Sequence, residues 1–153
     1  MIDLVYYSPE LRVYRDGRVE RLWRGLMWKF CEIKPHTTGY VEIKINKTKF
    51  KLHRIIAYCF LGLESMSFNN QNLIDHKNRI KNDNRVDNLR IVNCFQNQWN
   101  NDANGYYWNK SKKKFTALIR CNNIQTELGS FNTEEEARQA YLTAKAKYHV
   151  IAT

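Results

Sequence analysis

The stretch Leu73-Ile74-Asp75-His76-Lys77-Asn78-Arg79-Ile80-Lys81-Asn82-Asp83-Asn84-Arg85-Val86-Asp87-Asn88-Leu89-Arg90-Ile91-Val92 decides how this chain is read. Leu73-Ile74-Asp75 has the form of a short strand, and it delivers a carboxylate beside the imidazole of His76. Lys77 to Arg85 is polar and rich in Asn and Asp, which predicts an exposed turn or loop. Val86 to Val92 returns to an extended stretch. Asn93 stands three residues ahead of Gln96, the spacing of a reciprocal N-terminal cap, so a short helix carrying Gln96, Asn97 and Asn100 is expected.

The chemistry of these residues points to phosphodiester hydrolysis. That reaction needs an activated water, a cation to offset charge on the phosphorane, and help for the leaving oxygen. His76 can take a proton from water near neutral pH. Asp75 offers a hard oxygen ligand to Mg²⁺ or Mn²⁺. Neighbouring side chains on a strand point to opposite faces, so one can face the metal and the other the water. The side-chain oxygen of Asn97 would complete a sparse protein shell, with waters and phosphate oxygens filling the rest. A bare Asp-His pair is more often a surface dipeptide; here the ordered Asn and Arg residues around it argue otherwise.

Other residues have two readings each. Arg90, two residues beyond Asn88 and on its strand face, is placed to meet a phosphate or to pair with Asp87 or Asp83. His53 lies in an apolar helical stretch and fits a structural histidine bonded to backbone better than a catalytic one. His36 and His149 have no acidic or histidine neighbour at ligand spacing and read as surface residues.

The segments His53-Arg54-Ile55-Ile56-Ala57-Tyr58-Cys59-Phe60 and 74–92, together with Asn97, resemble the HNH family of endonucleases, in the branch of intron-encoded homing and nicking enzymes of phages. The resemblance implies a β-hairpin and helix wrapped round a single metal ion. It implies His76 as general base, Asp75 and Asn97 as metal ligands, and Asn88 as the asparagine that braces the hairpin. The third position of the HNH triplet is Asn97 and not histidine, a change usual in the nicking branch. It implies Mg²⁺, with Mn²⁺ as a substitute, and no zinc.

Outward toward the N-terminus, residues 1–51 read as β-rich. Asp16-Gly17 marks a turn, and Val41, Ile43 and Ile45 alternate with polar residues as in a half-buried strand. Leu52 to Leu61 reads as a helix with Leu52, Ile55, Ile56 and Cys59 on one face and Gly62 as its stop. Residues 63–73 read as a loop, rich in Asn at the end. Residues 1–51 also resemble the small β module that precedes the catalytic segment in the same branch. Arg12, Arg15, Arg18, Arg21 and Arg24 recur every three residues, which is either a basic stripe for a phosphate backbone or edge-strand charge that discourages pairing.

Toward the C-terminus, 101–105 mark a boundary. Phe115, Ala117 and Ile119 alternate with Thr116, Leu118 and Arg120, Asn122-Asn123 is a turn, and Ile124 to Leu128 a return strand. Thr133 and Glu136 form a capping box for a helix with Ala137, Ala140, Tyr141, Ala144 and Tyr148 on one face. Gly105-Tyr106-Tyr107-Trp108, 114–120, 128–133 and 136–141 resemble the plant-type ethylene-response-factor (APETALA) DNA-binding domain. That resemblance implies a three-stranded antiparallel sheet on one helix, with the sheet in the major groove. Trp108, Lys110, Lys112 and Arg120 are then the candidate DNA contacts, with Trp108 alternatively a core or rim aromatic. Several arginine positions of that family are Trp, Lys or apolar here, so base specificity does not carry over.

Composition agrees. Net charge is +10 with pI near 9.5, which suits a polyanionic partner, most simply double-stranded DNA. The basic excess flanks a balanced middle: 12 Lys/Arg against 6 Asp/Glu in 1–60, 5 against 5 in 61–103, 8 against 4 in 104–153. Cys31, Cys59, Cys94 and Cys121 show no zinc spacing and read as free thiols of a reducing compartment. No apolar run is long enough to cross a bilayer and no secretory signal is present, which points to an intracellular, non-secreted protein. The expectation is an α+β chain of three modules: a basic N-terminal β module (1–51), an HNH nuclease core with a ββα-metal finger (52–103), and an ethylene-response-factor-like three-stranded sheet packed on one helix (104–153). It would act as monomer or homodimer and nick one strand per chain. The alternatives are a non-catalytic DNA-binding protein and, less well supported, an RNA binder using its aromatics.

Overall fold

Glycine and asparagine turns set the hairpins of this chain, and the apolar faces between them set its cores. The structure is a computed structural model that describes residues 3–66 and 72–149. The Asn-rich end of the expected 63–73 loop lies mostly outside the described residues. The chain is α+β and forms two units, Met1–Asn97 and Gln98–Thr153.

In the first unit, β1 (Leu4–Ser8), β2 (Leu11–Tyr14), β3 (Val19–Trp23) and β4 (Met27–Phe30) make one antiparallel sheet in sequence order. Gly17, at φ +85°, turns β2 into β3. A second hairpin joins β5 (Glu42–Ile45) to β6 (Thr48–Lys51) through Asn46 and Lys47, both at positive φ. Helix α1 (Leu52–Phe60) begins where β6 ends, as its i, i+3, i+4 apolar spacing requires, and Leu61 N–H closes it on the Ala57 carbonyl. β7 (Leu73–His76) and β8 (Leu89–Val92) form a two-stranded sheet, followed by the short helix α2 (Cys94–Trp99).

One core runs through this unit. Leu11, Val13 and Val19 of the first sheet lie in one buried cluster with Val41, Ile43, Leu52, Ile55, Ile56, Val86 and Leu89. The expected boundary at 51/52 thus falls inside a shared hydrophobic core. The stretch 86–92 is not uniformly extended: Val86–Asn88 form one turn of 3₁₀ helix before β8 starts. Asn93 and Gln96 exchange backbone-to-side-chain hydrogen bonds (2.9 and 3.0 Å), the reciprocal cap read from their spacing.

The arginines at three-residue spacing do not form a stripe, because antiparallel strands and a turn scatter them. Arg12 pairs with buried Glu20 at 2.5 Å and covers the Trp28 ring. Arg18 pairs with Asp16, Arg15 lies over Phe60, and Arg21 donates to the Lys44 carbonyl.

In the second unit, β9 (Tyr106–Asn109), β10 (Lys114–Cys121) and β11 (Ile124–Phe131) form an antiparallel sheet with β10 central, and α3 (Glu134–Tyr148) lies on it. Thr133 and Glu136 form the full capping box, with Glu134, Glu135 and Glu136 in the first turn where they suit the helix dipole. Ile119, Tyr141 and Ala144 form the small core with Leu128 against it. Gly105 fits because it lacks a side chain: a Cβ there would sit 2.0 Å from the Tyr141 ring, and its φ is +78°. His149 is not a simple surface residue; its ring stacks on Trp99 at 4.9 Å, and Nε2 lies 2.9 Å from the Arg120 carbonyl. No helix among the described residues is long and apolar enough to cross a membrane.

Candidate functional site

The site is built on the end of β7 and the twelve residues that separate it from β8. That loop is the exposed, turn-rich segment expected from its sequence over Lys77 to Asn82, but Asn84 and Asn88 within it are buried. Asn88, buried, crosses it with its side chain: Oδ1 accepts the Asn78 N–H (3.0 Å) and Nδ2 donates to the Asp83 carbonyl (2.7 Å). Its own carbonyl accepts the Lys77 N–H at 2.8 Å. Asp83 in turn takes Asn78 Nδ2 (2.7 Å) and a two-point contact from Arg85, and these hydrogen bonds hold its carboxyl at a pKa of about 2.

The first unit's own turn supports this loop. The Val86 N–H donates to the Arg15 carbonyl at 2.8 Å, and a Cβ on Gly17 would lie 3.0 Å from the Asn84 carbonyl carbon. The segment entering β7 is held by buried Arg54, whose guanidinium donates to the carbonyls of Ser65, Met66 and Asn72 at 3.0–3.1 Å. Arg54 explains why an arginine sits inside an apolar helix: its planar donors match several carbonyls at once.

His76 ends β7 opposite Leu89 and is buried, with Nε2 at 3.3 Å from Asn84 Oδ1. Burial pushes its pKa below the ordinary histidine value, only partly offset by the Asn84 hydrogen bond and the charges of Asp75 and Asp83. The imidazole is therefore neutral at physiological pH, the form a base must have. Asp75, also buried, faces Arg90 across the ladder, and its Oδ2 accepts from Arg90 Nε (2.8 Å) and a terminal guanidinium nitrogen (2.7 Å). Neither carboxylate expected for Arg90 is the one found: Asp83 is engaged by Arg85, and Arg90 turns to Asp75.

His53 is not the backbone-bonded residue expected from its apolar context. Its ring meets that of His76 edge-on at 5.2 Å, Tyr40 lies 5.2 Å from His53 and 6.1 Å from His76, and the buried His53 Nδ1 has no hydrogen-bond partner. Burial foremost, then the neighbouring His76 and Lys51, bring its pKa down to about 3. Lys51 and Lys81 place their ammonium groups 4.5 and 5.0 Å from the Tyr40 ring centre.

Three residues of this site escaped sequence reasoning: Asn84, Tyr40 and His53. No periodic signal marks Asn84. The available hint was an excess of side-chain amides in one loop, more than a solvated turn uses.

Asn97 lies on α2 and is exposed. Among the described residues no three His, Cys, Asp or Glu side chains converge on one point. The oxygen donors that remain, the Asp75 carboxylate and the Asn97 amide, fit a hard, largely hydrated ion such as Mg²⁺, which is commonly held by one or two carboxylates plus water and phosphate.

In the second unit the strand pairing assigns faces. Trp108 pairs with Phe115, and Phe115, Ala117 and Ile119 share the α3 side, so Trp108 is a half-exposed rim aromatic there. Tyr107, Thr116, Leu118 and Arg120 occupy the opposite face. Thr116 is nevertheless fully buried, its hydroxyl 3.2 Å from that of Ser130. Lys110 and Arg120 are exposed, and Lys112 pairs with Glu127 at 2.7 Å.

No protein-family model matches the chain, and no curated protein matches it. Among solved structures the chain is similar to the HNH homing endonuclease I-HmuI, described for its DNA binding and cleavage. The identity is 18%, 82% of this chain and 77% of that chain are covered, and the TM-score is 0.48.

Proposed function

We propose that this protein is a metal-dependent DNA endonuclease that hydrolyses a phosphodiester and nicks one strand per chain. The observation that carries the reading is His76: a buried, neutral imidazole at a strand end, fixed by Asn84, directly beside the Asp75 carboxylate. A base so placed takes the proton of a water that attacks phosphorus. Asn88 holds the loop closed so that His76 and Asp75 keep their positions. Asp75 and Asn97 would hold Mg²⁺, or Mn²⁺ in its place, which when bound supplies charge stabilisation at the phosphorane and the leaving oxygen.

Double-stranded DNA is the partner that suits a chain of net charge +10. On the second unit Lys110, Lys112 and Arg120 are the candidate phosphate and groove contacts. The exposed Lys112–Glu127 pair is worth little by itself and can open in favour of a phosphate. Arg90 acts on Asp75, orienting the carboxylate. A monomer suffices for a nick, and a double-strand cut would need two chains or two successive binding events. The compartment is intracellular on this reading.

One observation favours a second reading. Arg90 already neutralises Asp75, so the pair can stand as structure without any metal, leaving a non-catalytic DNA-binding protein. The separating experiment is nicking of a supercoiled DNA library with Mg²⁺ or Mn²⁺, with EDTA and His76→Ala as controls and the ends sequenced. Metal-dependent nicks at a recurring site, reduced at least about 100-fold in His76→Ala with DNA retention unchanged, are expected. DNA retained without nicks in either metal would leave the binding protein.

A further inference from the structure

Several basic residues of the first unit are neutralised where they stand. Lys49 pairs with Glu42, Arg85 with Asp83 and Arg90 with Asp75. Lys51 and Lys81 are arranged differently. Both are exposed, and both bring their ammonium groups to the ring of Tyr40 and not to a carboxylate. We infer that Lys51 and Lys81, gathered on Tyr40, form a subsite for two successive backbone phosphates of the DNA strand that passes His76. The position of that strand rests on the nuclease reading; the phosphate contacts do not.

Lys51 ends β6, and its partner across the ladder is Glu42. That carboxylate is taken by Lys49 at 3.7 Å, and the Lys51 ammonium lies 4.5 Å from the centre of the Tyr40 ring. Lys81 comes from the loop between β7 and β8 and crosses to the turn at 36–40. That turn is closed by His36 N–H on the Tyr40 carbonyl and Gly39 N–H on the His36 carbonyl, both at 2.7 Å. Gly39 leaves room for the crossing: a Cβ there would stand 3.3 Å from Lys81 Cδ. The Lys81 ammonium donates to the Thr38 carbonyl at 3.2 Å and lies 5.0 Å from the Tyr40 ring centre. The two ammonium groups are therefore no farther apart than the sum of their distances to that centre, about 10 Å, a span that takes in two successive phosphates of one strand.

A tyrosine face attracts an ammonium group without cancelling its charge, so both charges stay on offer to an anion. Two like charges held this close repel, and a phosphate entering between them relieves that repulsion. Lys81, already held by Gly39, Thr38 and Tyr40, gives up little freedom when it binds. The place also suits a substrate strand, since the Tyr40 ring lies 6.1 Å from the ring of His76.

The test reads DNA binding with EDTA present, so that neither a metal nor a cut strand enters the result. The full chain is titrated with a short mixed-sequence fluorescent DNA duplex across about 50–200 mM NaCl. Each phosphate contact adds about 0.9 to the steepness of log K against log salt. Lys51→Gln and Lys81→Gln should therefore each lower it by about 0.9, and the double variant by about 1.8. Lys34→Gln, which removes the same charge from an ammonium paired with Glu32, should leave it as it was. Tyr40→Leu, which keeps both charges and removes the ring that gathers them, should weaken binding several-fold, and Tyr40→Phe should restore it. An unchanged steepness in both lysine variants, or an equal fall in Lys34→Gln, would overturn the subsite. In nicking of supercoiled DNA with Mg²⁺ or Mn²⁺ the double variant should raise KM on the order of ten-fold with kcat within about two-fold. A salt response that depends on Lys51 and Lys81 without any nicking by the wild type would remove the nuclease reading and leave the phosphate subsite standing. Nicking with a salt response that ignores both lysines would do the reverse.

Discussion

The β7–β8 and β10–β11 hairpins solve the same topological problem in opposite ways. β10 and β11 are joined by two residues, Asn122 and Asn123, both at positive φ (49° and 66°), so the backbone alone makes the turn. β7 and β8 are joined by twelve residues whose backbone makes only local turns, with Arg79 N–H on the His76 carbonyl (2.8 Å) and Asp83 N–H on the Ile80 carbonyl (3.1 Å) among their bonds. There side chains tie the turns together: Asn88 spans the loop, Asp83 collects Asn78 and Arg85, and Asn84 reaches His76. A long connection inside a compact unit is often retained where it carries function, and here it carries two buried amides, one of which, Asn84, meets a histidine. The short hairpin is a piece of scaffold; the long one holds the candidate site.

The comparison can be broken most forcefully at the scaffold. Gly105→Ala would drive a methyl into Tyr141, against a Cβ position 2.0 Å from the ring, at a φ that alanine disfavours. The expected loss is about 3 kcal/mol, combining overpacking and backbone strain. Amide spectra should lose dispersion for 98–149 and keep it for 3–66. Spectra that stay dispersed in both units would mean that the Tyr141 contact is not what organises the β9–β11 sheet.

At the site the matching change is Asn88→Ala. It strips the Asn78 amide and the Asp83 carbonyl of their partner, two part-buried hydrogen bonds, so about 2 kcal/mol should be lost. The Asn78 amide, protected in the wild type, should exchange at the rate of an open loop, and nicking should fall with it. Slow exchange at Asn78 in the variant would show that the loop holds its shape without Asn88.

A third effect is smaller per unit change and distinguishes the units by pH. His53 has a folded pKa of about 3 against 6.5 for the free residue. Above pH 6.5 neither state binds the proton, so His53 leaves stability unaffected. As pH falls below 6.5 the unfolded chain takes up a proton that the folded one refuses, and stability drops by about 1.4 kcal/mol per pH unit at most, until the folded pKa is reached. The first unit should therefore lose stability from pH 6.5 downward, with the slope reduced by one proton in His53→Phe. Equal slopes in wild type and variant would mean that His53 protonates freely in the folded state.

Much of this was legible in the sequence, for reasons that can be located. The Asn122-Asn123 turn, the Thr133–Glu136 cap, the apolar face of α1 and the Val41–Ile45 alternation are local signals, each encoded within a few residues. The strand that presents Asp75 and His76 was readable for the same cause. What escaped was set by tertiary contact. The burial of Asn84 depends on the Gly17 turn, some sixty-seven positions earlier in the chain. Arg90 chose Asp75 over nearer carboxylates because the ladder register sets them opposite each other. The arginine stripe dissolved because antiparallel pairing sends a three-residue period to different faces. His53 met His76 only because α1 packs beside the β7 end. Neither the helical period of α1 nor the spacing of the loop asparagines carries such distances.

The smallest expected effect isolates the contrast between the hairpins most cleanly, because it changes one residue type in each to the same replacement. Asn122→Gly keeps what its turn needs, a residue at ease with positive φ, and loses a side chain that is exposed there. Gly populates that region without strain but gives the unfolded chain more freedom, so the two terms nearly cancel and the change in stability is within about 0.5 kcal/mol. Asn88→Gly gains no such relief. Its backbone lies in the 3₁₀ turn at negative φ, and what its position requires is the carboxamide, which glycine lacks. Its cost should match or exceed that of Asn88→Ala, since glycine adds unfolded-state entropy to the lost bonds. Unfolding free energies of the two glycine variants, from denaturant titration of the full chain, should therefore separate by about 2 kcal/mol. Equal free energies would mean that the twelve-residue loop is held by its backbone turns, and that its side-chain amides are not what fix the candidate site.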